Sequence, residues 1–182
     1  MTDTGTRPTA ILLTPLLAGG AVAITLGVYA RLHPPGGAGV HLAVFSSPLT
    51  AKVWLATGAL LFALVQVGSA AVLYGRVPGV PPARWTGSLH RWSGRVAFLL
   101  TVPVAVHCLY VLGLQGGSPR TLIHSLAGCL FFGAFTAKML ALPRPGLPWW
   151  ALPLLGGVVF TTLTALWLTS SLWFLVTAGP RI

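Results

Sequence analysis

Three histidines, His90, His107 and His124, lie in or at the ends of two adjacent apolar segments of a chain that has a single acidic residue. An imidazole ring inside a lipid bilayer is expensive, so a histidine in such a segment indicates a functional site. The one acidic side chain, Asp3, lies in the N-terminal tail, and a proton relay between a carboxylate and a histidine is therefore hard to build. Neutral imidazoles also ligate metals, and in a helical bundle the metal is most often haem iron.

His107 and His124 are the pair whose spacing suits a haem. His107 lies about seven residues before the predicted third span ends, and His124 lies about three residues after the fourth begins. A tight loop joins these antiparallel helices, so we expect both rings at similar depth, roughly 5–10 Å inside the outer helix ends. A b haem with two histidine ligands requires this arrangement. We therefore predict one haem b whose iron is ligated by His107 and His124.

The remaining histidines are less clearly placed. His90 lies 17 residues before His107, which is about 25 Å along the same helix and near the opposite interface. It could ligate a second haem, but no other histidine is placed on that side. Its alternative role is an interfacial ring bonded to a lipid phosphate or a backbone carbonyl. His33 and His41, between the first two spans, are alternative ligands or solvated loop side chains.

Two local details favour haem. The pattern His-x-x-x-Gly occurs at His90 with Gly94 and at His124 with Gly128. A glycine one turn from a ligand lacks the Cβ that would collide with a flat macrocycle lying against the helix. Arg120 precedes His124 by four residues, and a guanidinium is well suited to a haem propionate. The alternatives are that glycine serves close helix packing and that arginine anchors a helix end.

The composition of the chain places these residues in a membrane. Of the 182 residues, 55% are hydrophobic and only 7% are charged, whereas a soluble domain would carry about a quarter charged residues. Since the connections between the apolar segments are short, neighbouring helices should be antiparallel. We predict an all-α, integral membrane, up-and-down bundle of five transmembrane helices, forming one domain over residues 1–182. The predicted spans are residues 9–32, 50–77, 88–114, 121–142 and 151–178.

Shorter or more polar features complete the expected bundle. Residues 40–48 are apolar but too short to span, so we expect them in the interface. Gln66 and several hydroxyls of the fifth span, including that of Thr169, should form hydrogen bonds between helices. Lys138 should extend its amine toward the membrane surface. The cysteines, Cys108 and Cys129, should pack as small apolar side chains.

The net charge of +10 is better explained by topology and anionic lipid than by nucleic acid. The arginines flank apolar spans and form no basic patch with interleaved aromatic residues. Since cytoplasmic loops carry the excess of basic residues, we predict a bacterial plasma membrane protein with a cytoplasmic N-terminus and an external C-terminus. The N-terminal side carries seven basic residues (Arg7, Arg76, Arg84, Arg91, Arg95, Lys138, Arg144) and the other side four (Arg31, Lys52, Arg120, Arg181).

Three stretches carry a resemblance to known families: LHRWSGR at residues 89–95, HCLY at 107–110 and IHSLAG at 123–128. Over residues 50–175 the chain resembles an uncharacterised family of small actinobacterial five-helix membrane proteins, which implies a membrane bundle. More distantly, it is similar to the b-type cytochromes of the ascorbate-reductase and ferric-reductase kind. That resemblance rests on helix count and histidine placement, and it implies haem. The cytochromes hold two haems on four ligands, whereas one ligand pair is evident here.

The leading hypothesis is a b-type cytochrome-like membrane protein that carries electrons to or from a redox partner protein or a quinone. Association of this chain into an oligomer is compatible with that hypothesis. The sequence contains no nicotinamide or flavin motif, so reductase activity would require a separate donor subunit. The main alternative is a haem-free accessory or structural subunit whose histidines are packing or interfacial groups. A permease is disfavoured, because the spans carry neither carboxylates nor inverted repeats.

The predicted orientation is testable with a reporter fused after Ile182. We expect activity from a reporter that functions only outside the cytoplasm, because the basic residues favour a cytoplasmic N-terminus and five spans then place the C-terminus outside. A cytoplasmic reporter at the same position is the control and should be inactive. The reverse pattern would invert the orientation and move the predicted haem to the inner leaflet.

Overall fold

The computed structural model describes residues 8–36 and 45–180. Asp3 and His41 lie outside the described residues, as do residues 40–44 of the predicted interfacial segment.

The described residues form long helices joined by short connections. Five stretches are long and apolar enough to cross a membrane, so the protein is a multi-pass membrane protein and the predicted all-α fold with five spans is confirmed. The third and fifth spans each contain a π-helical turn, Cys108–Leu112 and Leu168–Leu172. The α-helices are α1 (Pro8–Leu32), α2 (Pro48–Leu73), α3 (Thr86–His107), α4 (Pro119–Ala141), α5 (Ala151–Trp167) and α6 (Trp173–Ala178).

Two helices begin with the same local signal, Ser-Pro-x-Thr. At α2, Ser47 Oγ accepts a hydrogen bond from the Thr50 amide at 3.1 Å, and Thr50 Oγ1 accepts one from the Ser47 amide. Ser118 and Thr121 form the same reciprocal cap at α4. Proline at the first helical position has no amide hydrogen to leave unsatisfied and its φ already suits a helix. These caps fix where α2 and α4 start, and therefore the register of every polar residue that follows.

The second helix ends four residues earlier than the predicted span, at Leu73. The Arg76 amide donates to the Ala71 carbonyl at 2.8 Å, and the Gly75 amide donates to Val72 at 3.0 Å. Gly75 has a φ of +64°, a left-handed conformation that glycine adopts without a steric penalty. This pair of bonds is a Schellman motif, which ends the helix although the apolar sequence continues.

The chain divides into two compact units. The first, Met1–Pro34 with Gly113–Thr169, contains α1, α4 and α5, and the second, Pro35–Leu112 with Ser170–Ile182, contains α2, α3 and α6. In the first unit the buried apolar cluster comes from all three helices and is formed by Leu12, Ala137, Ala141, Ala151 and Leu155. In the second unit α2 packs on α3, where small side chains such as Ala59 and Ala97 are buried.

Within the first unit, α1 and α4 approach closely at two glycines. A Cβ added to Gly133 would lie 2.6 Å from the Gly19 carbonyl oxygen and 2.9 Å from Ala23 Cβ. A Cβ added to Gly19 would overlap the Gly133 carbonyl oxygen and Ala137 Cβ in the same way. Lipid tails are as apolar as the helix surfaces, so close van der Waals packing between small residues drives helix association in a membrane. The backbone contact of Gly19 with Gly133 therefore holds α1 against α4.

Replacement of Gly19 by alanine tests this contact. We expect Gly19→Ala to destabilise the protein by about 1–3 kcal/mol, because the new methyl group must displace backbone atoms of α4. Gly20→Ala is the matched control, since a Cβ at Gly20 meets nothing within 4 Å. Thermal unfolding in detergent, followed by tryptophan fluorescence, measures the difference between the variants. Equal stability of the two variants would contradict the proposed role of the contact.

Candidate functional site

His124 is held by a hydroxyl from the fifth span. It is half-buried in α4, and its Nδ1 lies 3.0 Å from Thr169 Oγ1. Thr169 Oγ1 also donates to the Ala165 carbonyl at 2.6 Å. A hydroxyl has one hydrogen and a carbonyl can only accept, so while Thr169 Oγ1 donates to Ala165 the His124 bond is donated by Nδ1–H. In the neutral ring Nε2 then carries the lone pair, which is the form that ligates a metal.

The Arg120 side chain contacts the backbone of the same threonine. Its Nη1 donates to the Thr169 carbonyl at 2.5 Å. Thr169 lies in the π-helical turn Leu168–Leu172, and π-helical turns occur frequently at functional sites. Thr169 therefore connects α5 to two predicted site residues of α4, with its side chain on His124 and its carbonyl on Arg120. The guanidinium has five N–H donors, and its pairing with a haem propionate stays a prediction.

His107 is the more buried of the two described histidines of the second unit. It is the last residue of α3 before the π-helical turn Cys108–Leu112, and its side chain is 8% exposed. Its Nδ1 is buried and has no hydrogen-bond partner in the described part of the chain. A buried polar atom without a partner is unfavourable, which makes this nitrogen a candidate contact for a bound group. His107 lines a small cavity together with Lys52.

His90 takes part in the packing of α2 on α3. Its Nδ1 lies 2.9 Å from Ser69 Oγ, which donates to the Val65 carbonyl at 2.7 Å, so His90 is the donor here as well. Its backbone carbonyl accepts a hydrogen bond from the Gln66 amide group, which also donates to Ser93 Oγ at 2.8 Å. The predicted interhelical role of Gln66 is confirmed. These contacts give His90 a structural role in the helix pair.

The two His-x-x-x-Gly patterns have different surroundings. A Cβ at Gly94 would lie 3.0 Å from the Gln66 side chain, so this glycine makes room for Gln66 and serves helix packing. A Cβ at Gly128 would meet only Leu166 Cδ2, at an ordinary 3.8 Å. Gly128 therefore has room for a Cβ, so packing of the neighbouring helix does not require glycine at this position. Its proposed role next to a macrocycle stays a prediction.

Other candidate residues are placed apart from these hydrogen bonds. The His33 ring stacks on Tyr29 with its centroid 5.1 Å away, and the Tyr29 hydroxyl lies 3.4 Å from His33 Nδ1. Cys108 and Cys129 are both free thiols. Lys138 is half-buried in the last turn of α4. None of these residues becomes a further candidate ligand beside His107 and His124, the pair predicted from their spacing.

Sequence reasoning missed two contributions to the site. Thr169 was expected only to bond another helix, and nothing in the sequence singled it out as the partner of His124, 45 positions away. The sequence pattern uses Lys52 only as one of the basic residues that predict the orientation, yet its side chain is 6% exposed and lies beside His107. The signal for Lys52 was present, since a lysine inside a span without any carboxylate is itself unusual.

The comparisons with known proteins identify the family of the chain. The family model of DUF6529, a family of unknown function, matches residues 12–182. The chain belongs to this family. Membership of the DUF6529 family confirms the expected resemblance to an uncharacterised family and extends it beyond residues 50–175. No curated protein and no solved structure matches the chain.

Haem binding stays a prediction for these residues. Among residues 8–36 and 45–180, no three or more His, Cys, Asp or Glu side chains are grouped so as to hold a metal. A porphyrin itself supplies four nitrogen ligands to iron, so two imidazoles would complete the set. The hydrogen bond of His124 Nδ1 and the burial of His107 are compatible with that role.

The hydrogen bond between Thr169 and His124 is tested by Thr169→Val, which keeps the shape and removes the acceptor. We expect the His124 ring to lose its Nδ1–H preference, with a stability loss of about 0.6 kcal/mol, typical of such bonds in membranes. Nitrogen NMR of histidine-labelled protein resolves the tautomers, since the chain has only five histidines. Thr177→Val is the control, because that hydroxyl bonds only to carbonyls of its own helix. An unchanged His124 tautomer in Thr169→Val would refute the assignment.

Proposed function

We propose that this protein carries electrons across part of a bacterial plasma membrane through one haem b ligated by His107 and His124. The observation that carries the proposal is the hydrogen bond from His124 Nδ1 to Thr169. Histidines that bind metals almost always donate their other N–H to a neighbouring acceptor, which fixes the ring and raises its basicity. When bound, a haem with two imidazole ligands supplies reversible one-electron transfer.

The residues around the histidines would tune such a group. The Thr169 hydroxyl orients His124 and its carbonyl holds Arg120, and a guanidinium is well suited to a propionate. The burial of His107 limits water beside that ring, and solvent access is one of the factors that set a reduction potential. Thr169 is therefore a positioning residue in this proposal, and His107 and His124 are the ligands.

We assign His90 a structural role and count one haem. Its Nδ1 is bonded to Ser69 and its carbonyl to Gln66, both from α2, so the contacts of helix pairing account for its position. A single haem distinguishes the chain from the two-haem cytochromes of the ascorbate-reductase and ferric-reductase kind, to which we propose a distant relation. A second haem near His90 would need another ligand on that side.

The wider setting follows from the same proposal. With the N-terminus in the cytoplasm, His107 and His124 would hold the haem in the outer leaflet. Bound there, it would supply electron exchange with a partner protein or a quinone at the outer face, in a monomer or an oligomer. Actinobacterial origin and the cell membrane are part of this proposal. A haem-free accessory subunit is the competing function, favoured by the structural contacts that already explain His90.

Absorption spectra of the purified protein and its histidine variants test the haem proposal. We expect a Soret band and, after reduction with dithionite, the sharp α band of a low-spin haem with two imidazole ligands. His107→Ala and His124→Ala should each abolish the low-spin spectrum, because removing one ligand leaves five-coordinate iron. A colourless, folded preparation from haem-replete cells would refute the proposal and favour the accessory subunit.

The remaining histidines provide matched controls for these variants. His90→Ala should spare the low-spin signal, because its ring is about 25 Å along the helix from His107. His33→Ala and His41→Ala should leave the spectrum unchanged. Loss of half the haem in His90→Ala would establish a second site. A low-spin spectrum in His124→Ala would exclude His124 and make His33 or His41 the next candidate.

A further inference from the structure

A second polar site lies in the second unit, at the start of α2. Lys52 and His107 line a common cavity, and the space open to the centre of a water molecule is about 10 Å³. That is about what one water or one oxygen atom needs. The other lining residues carry no charge: Pro48, Ala51, Leu55, Pro103 and Val104.

Lys52 brings a charge to this cavity, and no side-chain carboxylate among the described residues balances it. Its side chain is 6% exposed, so it is more than nine-tenths buried. The only acidic side chain in the sequence, Asp3, lies outside the described residues, which contain no Asp or Glu. A buried charge is strongly unfavourable unless it is paired and hydrogen-bonded. The ammonium group therefore requires an anion from outside the described chain.

His107 brings an unsatisfied polar atom to the same space. Its Nδ1 is buried without a partner, and the side chain is 8% exposed. When this nitrogen carries the proton it is a donor, so the cavity presents one N–H of an imidazole and one of an ammonium group. Two donor-bearing side chains that line a space of one atom suit an acceptor, and a negatively charged oxygen makes the stronger bonds.

We propose that the cavity binds one anionic oxygen of a phosphate group between Lys52 Nζ and His107 Nδ1. Only one oxygen fits, so the rest of the group must lie outside the cavity. Lys52 is the fifth residue of α2, about 6 Å from the helix start, which places it near the headgroup level of a span. The N-terminal end of a helix dipole also favours an anion. The phosphate belongs either to a lipid headgroup or to free phosphate.

The site does not depend on the proposed haem, since both donors belong to the protein. Its test uses the protein as purified, in a maltoside detergent that contains no phosphate. Inorganic phosphate is titrated in one arm and the lipid phosphatidylglycerol in the other. We expect the unfolding temperature to rise in one arm, by roughly 3 °C for each tenfold increase above the dissociation constant.

Lysine variants assign the response to the cavity. Lys52→Met should abolish the temperature rise, Lys52→Arg should retain it, and Lys138→Met is the matched control at the only other lysine. A response to the lipid alone identifies a headgroup, and a response to inorganic phosphate identifies a soluble anion. No response in either arm, or an equal response in Lys52→Met, would refute the site.

A second measurement covers the case in which Lys52→Met does not fold. The His107 nitrogen resonance of the wild-type protein, followed during the same titrations, should shift saturably when Nδ1 acquires its acceptor. A resonance that stays unchanged while phosphate or lipid is added would refute the site independently of any variant. A colourless preparation would refute the haem proposal. Both titrations would still test the phosphate site, because neither measurement requires haem.

Discussion

The structure depends on one constraint, that polar groups within a bilayer must find their partners inside the protein. The backbone meets it through helices, and the side chains meet it through short interhelical bonds. His124 donates to Thr169, and His90 donates to Ser69. Each hydroxyl in turn donates to a carbonyl of its own helix, so one serine or threonine satisfies both itself and a histidine. The histidines are thereby fixed in one tautomer as a by-product of burial.

The same constraint makes the exceptions informative. The Nδ1 of His107 and the hydroxyl of Ser171 are buried side-chain atoms that lack partners in the described chain. The nitrogen of His107 shares its cavity with a buried lysine, so unmet polarity and unbalanced charge occur at one place. The hydrogen bonds of His90 complete a packing contact, whereas the Nδ1 of His107 has no partner in the described chain. Of the two histidines on α3, His107 is therefore the one for which we propose a bound group.

Much of the fold could be predicted because bilayer thickness imposes a length on every apolar segment, and turn residues between the segments mark their ends. The end of α2 could not, because Val77 is apolar and the Schellman motif at Gly75 depends on backbone conformation rather than hydropathy. The candidate residues on α3 and α4 stood out as rings in apolar sequence. Their partners did not, since Thr169 resembles every other threonine in the span and only tertiary structure brings it to His124. At Gly94 the sequence pattern left two alternatives, a cofactor or close helix packing, and the structure places the Gln66 side chain beside this glycine.

The contact of Gly19 with Gly133 has a thermodynamic consequence. The large heat-capacity change that accompanies unfolding in water arises from hydration of apolar surface. Separating α1 from α4 within a bilayer exposes their surfaces to lipid tails instead, so that hydration term is largely absent. The association of these helices should then vary little with cooling, without the domed stability curve and cold denaturation of soluble domains. A glycine contact in a membrane holds its partner helix nearly as well near freezing as at growth temperature.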